Sequence, residues 1–233
     1  MTGIQAILTI VAIGATSAPL AQRFEKDTIL ILKHKAECEL PAIFIDSNTN
    51  SKFYGPISNF DFSYTDSDNY KVSIVGLKQQ YPALQKVKPV IPWYNWVTLK
   101  QYQDQFYVYS PCDFLYHLRQ SVNDTTFIDW TGEGPVANKI ISQKKIDDDT
   151  YQFILTGIQG LERSIIIYII DRKKGIAVFE QSNKGKGTTY NLMIAADKIK
   201  SVPIIINHCP VQKKPEFNFD EPDFKRLLTK NDR

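Results

Sequence analysis

Between Ser164 and Ile170, Ile165, Ile167 and Ile169 alternate with Ile166, Tyr168 and Ile170, so the segment is apolar on both faces of an extended chain. β-Branched residues at this density favour a strand. A strand apolar on both sides needs cover on both, which places it mid-sheet beneath a helix or a chain terminus. Its neighbours carry the same period of two. Thr150–Thr156 puts Tyr151, Phe153 and Leu155 on one face, and Thr188–Ile194 does so with Tyr190, Leu192 and Ile194. Between the isoleucine strand and Ile176–Gln181, the stretch Asp171–Gly175 has the length of a hairpin loop with glycine at the position of positive φ.

Upstream, Val97–Gln103 and Gln105–Tyr109 suit two strands around a tight turn. Phe114–Leu118, Thr125–Trp130 and Lys139–Ile146 continue the series. Strands and turns recur regularly, without the intervening helices a parallel sheet requires. The pattern predicts an all-β fold: a single antiparallel open or closed β-barrel of about ten strands. The alternative is a two-sheet β-sandwich. Such a run of hairpins is similar in arrangement to a lipocalin, but the Gly-x-Trp signature of that family is absent near the first strand, and no family is assigned.

The ends of the chain differ from its middle. Thr28–Lys33 and Ala42–Ile45 read as short strands. Phe60–Tyr64 and Tyr70–Leu77 read as a hairpin around Asp66–Asn69. Pro82, Pro89 and Pro92 interrupt the pattern and predict a crossover, with room for one helical turn between Tyr81 and Val87. Val202–Asn207 is a last strand, after which Phe224, Leu227 and Leu228 lie at helical spacing. The expected organisation is therefore a leader over residues 1–21, a barrel domain over 22–209, and over 210–233 a proline-rich tail with a short amphipathic helix.

Ile4–Ala15 is uncharged and apolar, and small residues follow at Ala15–Ala18. This reads as a secretory signal peptide, too short for a membrane span, so no transmembrane span is expected in the mature protein. It lacks a basic residue before the apolar run; the competing reading makes it a core element of a cytoplasmic protein. Export would place the protein outside the cell, in the periplasm or at the cell envelope. Three cysteines, Cys38, Cys112 and Cys209, lack the paired spacing of a zinc site. In an oxidising compartment two of them could bridge, and the sequence does not say which. Lys and Arg number 28 against 25 Asp and Glu, a scattered excess that gives no basic stripe for nucleic acid.

Aromatic residues carry the functional colour. Trp93, Trp96, Tyr107, Tyr109 and Trp130 would suit the lining of a site for a small apolar ligand, since each offers large apolar area and a polar tip. The bland alternative makes them ordinary core residues. Asn207-His208-Cys209 sets a base beside a thiol, but neighbours on a strand face opposite ways. A Cys/His hydrolase would need His34 or His117 near Cys112 or Cys209 in space. Asp147–Asp149 lacks the glycine and distal acid of a calcium loop. Glu133, with Asp113 and Asp129 nearby in sequence, lacks an evident partner for acid–base work. No catalytic residue, metal site or cofactor is assigned. The expected function is a secreted or envelope-associated binding module for a small apolar ligand. The alternative is a structural or interaction domain with a packed interior, meeting a protein partner through its loops or C-terminal tail.

Overall fold

The computed structural model describes residues 28–33, 42–81, 83–113, 117–158, 160–183, 185–209, 213 and 215–229. The expected leader, His34, Cys38 and residues 114–116 of the strand expected at Phe114–Leu118 lie outside them. The described strands are β1 (Thr28–Lys33), β2 (Ala42–Asp46), β3 (Asn95–Tyr102), β4 (Gln105–Ser110), β5 (Arg119–Val122), β6 (Thr126–Thr131), β7 (Gly134–Lys145), β8 (Thr150–Thr156), β9 (Glu162–Asp171), β10 (Ile176–Asn183), β11 (Gly187–Ala195) and β12 (Ile204–His208). Helices α1 (Tyr54–Ser58), α2 (Tyr64–Gln80) and α3 (Phe224–Thr229) and a 3-10 turn at Ala196–Ser201 complete the set.

From β5 to β11 each strand pairs antiparallel with the next. β11 then pairs with β3 through Trp96–Thr98, and β3 pairs with β5 through Asn95–Val97, closing an eight-stranded barrel. The second half of β3 leaves the wall. Leu99–Tyr102 pairs with β4 instead, around a two-residue turn in which Gln103 and Asp104 have φ of 49° and 60°. From β4 the sheet continues through β12 and β2 to β1.

The segments flanking the barrel on its N-terminal side need correction. The segment expected as a hairpin at Phe60–Leu77 holds helix α2. Ser63 caps it: its Oγ accepts from Asp66 N, and the Asp66 carboxylate accepts from Ser63 N. The alternation of Tyr70, Val72 and Ile74 was incidental. Burial follows the helical spacing of Ser73 and Leu77, which face β7, where Ser73 Oγ accepts from Ala137 N. Tyr81–Val87 likewise forms no helical turn among its described residues. The expected antiparallel barrel is present, and one parallel pair lies outside it: β4 and β12 run parallel over Val108–Ser110 and Ile204–Ile206. They belong to the side sheet, and the chain between them is long enough to build most of the barrel.

Inside the barrel, Trp96, Phe127, Phe153, Leu155, Ile165, Ile167, Phe179 and Met193 form one cluster. A second cluster lies between the outside of the wall and the side sheet, where Val97, Val178, Leu192 and Ile194 meet Val108, Ile204 and Ile206. Leu227 and Leu228 of α3 pack against this cluster with Tyr168 and Ile170. The isoleucine strand β9 thus has the double cover its sequence demands. Gly175 has φ of +67° in the turn before β10, as expected, and a Cβ there would lie 2.8 Å from Lys198.

Candidate functional site

The five aromatic residues singled out above occupy three places. Trp96 is in the lumen, where it meets Phe179 edge-on at 5.1 Å and donates from Nε1 to Trp93 O; Trp93 packs against the same cluster. Trp130 is outside the barrel, beneath Phe60 and Phe62, with the Arg119 guanidinium 4.7 Å from its ring centre. Tyr107 and Tyr109 lie on the side sheet with Ile43, Ile45 and Ile205, covered by Phe217 and Phe219 of the tail. They do not share a pocket. The residues Phe153, Leu155, Ile165 and Ile167 are all 0 % exposed. A void large enough for water would expose its own wall, so this part of the lumen is filled.

One end of the lumen is polar. Asp129 shares a face of β6 with Phe127, and Arg163 shares a face of β9 with Ile165. The Arg163 guanidinium reaches the Asp129 carboxylate although β7 and β8 stand between their strands, so the contact crosses the lumen. Gln120 Nε2 and Asn138 Nδ2 each donate to the same carboxylate at 3.0 Å. Their neighbours Gln120 Oε1 and Arg163 Nε are buried without a hydrogen-bond partner among the described residues.

Beyond Thr98, β3 splays away from β11. A pocket of about 520 Å³ opens there, lined among others by Thr98 and Lys100 of β3, Tyr190 and Asn191 of β11, and Phe217–Pro222 and Phe224 of the tail. Thr98 and Lys100 continue the face of β3 that carries luminal Trp96, and Asn191 continues the face of Met193. The tail roofs the opening as a strap. Asp220 N donates to Gln101 O, and Gln103 N donates to Asp220 Oδ2 at 2.7 Å. Upstream the strap is held by Glu216, whose carboxylate accepts from Tyr109 Oη and from Asp113 N at 2.8 Å, while Asn207 Nδ2 donates to Pro215 O. Burial, and then the bond to Glu216, push the Tyr109 hydroxyl pKa well above its ordinary value. Burial also lowers the Lys100 pKa, opposed in part by the attraction of Glu221.

Cys112 and Cys209 form a disulfide just beyond the parallel pair of β4 and β12. Neither sulfur is therefore available as a thiolate nucleophile in this state. His208 packs edge-on against Phe53, away from the bridge. In the Asp147–Asp149 loop the carboxylates of Asp148 and Asp149 pair with Lys145 and Arg172. Asp113 pairs with Lys213, and Glu133 is exposed.

Burial, with repulsion from Arg119 and Lys100, lowers the His117 pKa to about 4. An unfolded histidine takes up a proton near its ordinary value of about 6.5, whereas His117 in the folded protein does not until pH nears 4. Stability is therefore expected to fall as pH drops through this window. The unfolding midpoint of His117→Phe should fall less than that of the parent between pH 6.5 and 5, above the range where most carboxylates titrate. Parallel pH curves would show that His117 is not the group responsible.

Sequence reasoning missed Lys100, Asp129 with Arg163, and the strap. The lumen pair left a signal, an acid and a base each in register with inward-facing apolar residues. Comparison with protein-family models, curated proteins and solved structures finds no significant match to this chain.

Proposed function

We propose that the protein is a β-barrel binding module for a small, largely apolar ligand held in the cleft between β3 and β11. The supporting observation is the pocket of about 520 Å³ at that split, a volume within the range of small-molecule sites. Tyr190 and Phe224, stacked at 5.4 Å, and Phe219 give it an apolar wall, while Lys100 and Asn191 give it polar atoms. The proposed site lies in the wall because the five expected aromatic residues are dispersed and Trp96 and its neighbours fill the space a central ligand would need. The Cys112–Cys209 bridge favours a working place outside the reducing cytosol.

The test is titration of the full chain with N-phenylnaphthylamine, a neutral apolar fluorophore. Saturable enhancement with one site per chain is expected. Asn191→Trp, which places an indole in the cleft, should weaken it by at least about tenfold, since the ring takes much of the room a naphthyl group needs. No enhancement, or unchanged affinity in that variant, removes the cleft from consideration. A second reading, an interaction domain with a packed interior, is favoured by the filled lumen and by exposed apolar side chains beside α2. Val72, at 70 % exposed, borders one surface depression with Val136 and Ile158.

A further inference from the structure

We propose that the cleft selects ligands bearing a carboxylate, with the Lys100 ammonium as the group that receives it. The inference rests on the reading of the cleft as a ligand site and adds the chemistry of the ligand. Lys100 is half-buried and lines the pocket, its Nζ lying 5.8 Å from the centre of the Phe219 ring. Among the described residues its Nζ has neither a hydrogen bond nor an ion pair. A cation removed from water without a counter-ion is costly, and a ring face replaces only part of what water supplied.

Two carboxylates belong to the roof, and neither meets the need. Asp220 Oδ2 is committed to the Gln103 amide, 2.7 Å away. Glu221 is exposed, and its attraction is outweighed by the burial of Lys100, so the net effect on that amine is a lowered pKa. Lys100 Nζ thus lacks an ion-paired anion next to an aromatic wall. An organic carboxylate with an apolar body satisfies both at once, its oxygens accepting from Nζ and its body lying along Phe219, Phe224 and Tyr190. A phosphate or sulfate ester would bring the charge but also more solvated oxygens than one half-buried lysine satisfies.

The probes are naphthaleneacetate and naphthaleneethanol, which share a body and differ in the charged end. Isothermal titration of the full chain at neutral pH should give the acid about tenfold tighter binding than the alcohol, the scale of one charge-assisted hydrogen bond. Lys100→Met should bring the two within about twofold, and Lys100→Arg should keep the preference, since the charge remains. Amide spectra of both variants establish that the barrel is intact, and the comparison in the parent chain does not depend on either. Equal binding of acid and alcohol by the parent would overturn the inference and leave the cleft as an apolar site. A preference that survives Lys100→Met would also overturn it. Binding of neither probe would remove the site itself.

Discussion

Asp129→Ala is expected to lower folding stability by about 3–5 kcal/mol, because it leaves the Arg163 guanidinium charged and unpaired inside the barrel. The two side chains are only 17 % and 15 % exposed, so solvent cannot replace the lost partner at its bulk strength. Gln120 Nε2 would lose its acceptor in the same step and add to the loss, whereas Asn138 Nδ2 keeps the Phe127 carbonyl. Replacement of both charges, as Asp129→Leu with Arg163→Met, should recover most of the loss, since a hydrophobic pair of similar volume avoids the desolvation of two ions. Urea unfolding of the parent, the single variant and the double variant measures all three. A loss below about 1 kcal/mol for Asp129→Ala would place the pair in solvent, with the strength of a surface ion pair.

Removal of the disulfide has an effect of similar size for a different reason. Cys112 and Cys209 are 97 residues apart, and their bridge closes a loop that contains β5 to β12. In the chain-entropy picture, cross-linking a loop of about 100 residues contributes about 4.7 kcal/mol, mostly by restricting the unfolded chain. Cys112→Ser with Cys209→Ser should therefore cost about 3–5 kcal/mol, read as a shift in the urea midpoint. The loss should not be spread evenly. The bridge lies beside the short parallel ladder of β4 and β12 and beside the Glu216 anchor of the strap, so amide exchange should accelerate first over Val108–Ser110, Ile204–Ile206 and Phe217–Asp220. Uniform acceleration over β6–β10 as well would mean that the side sheet and the barrel unfold as one unit.

The open cleft has one structural cause. β3 serves two sheets, its first half pairing with β11 and β5 and its second half with β4. A strand that changes partners midway leaves the first half of β11 without its neighbour on that side, and the tail enters the gap through the bridge of Asp220 to Gln101. The pocket is what the tail leaves unfilled.

How much of this was legible depends on the range of the interaction. Periodicity of two and turn chemistry are local, so β1, β8 and the hairpin at Gly175 were readable from the residues alone, as was the need of β9 for cover on two sides. α2 was misread because Tyr70, Val72 and Ile74 satisfy a strand pattern while Ser63 and Asp66 form the cap that decides for a helix. The sequence by itself determined that the chain must wrap successive hairpins around an apolar interior. Only the tertiary structure decided that Trp96, Phe153 and Phe179 close that interior, that Cys112 pairs with Cys209, and that Lys100 faces a cleft. These outcomes depend on which distant strands become neighbours, and residues remote along the chain leave no local pattern to read.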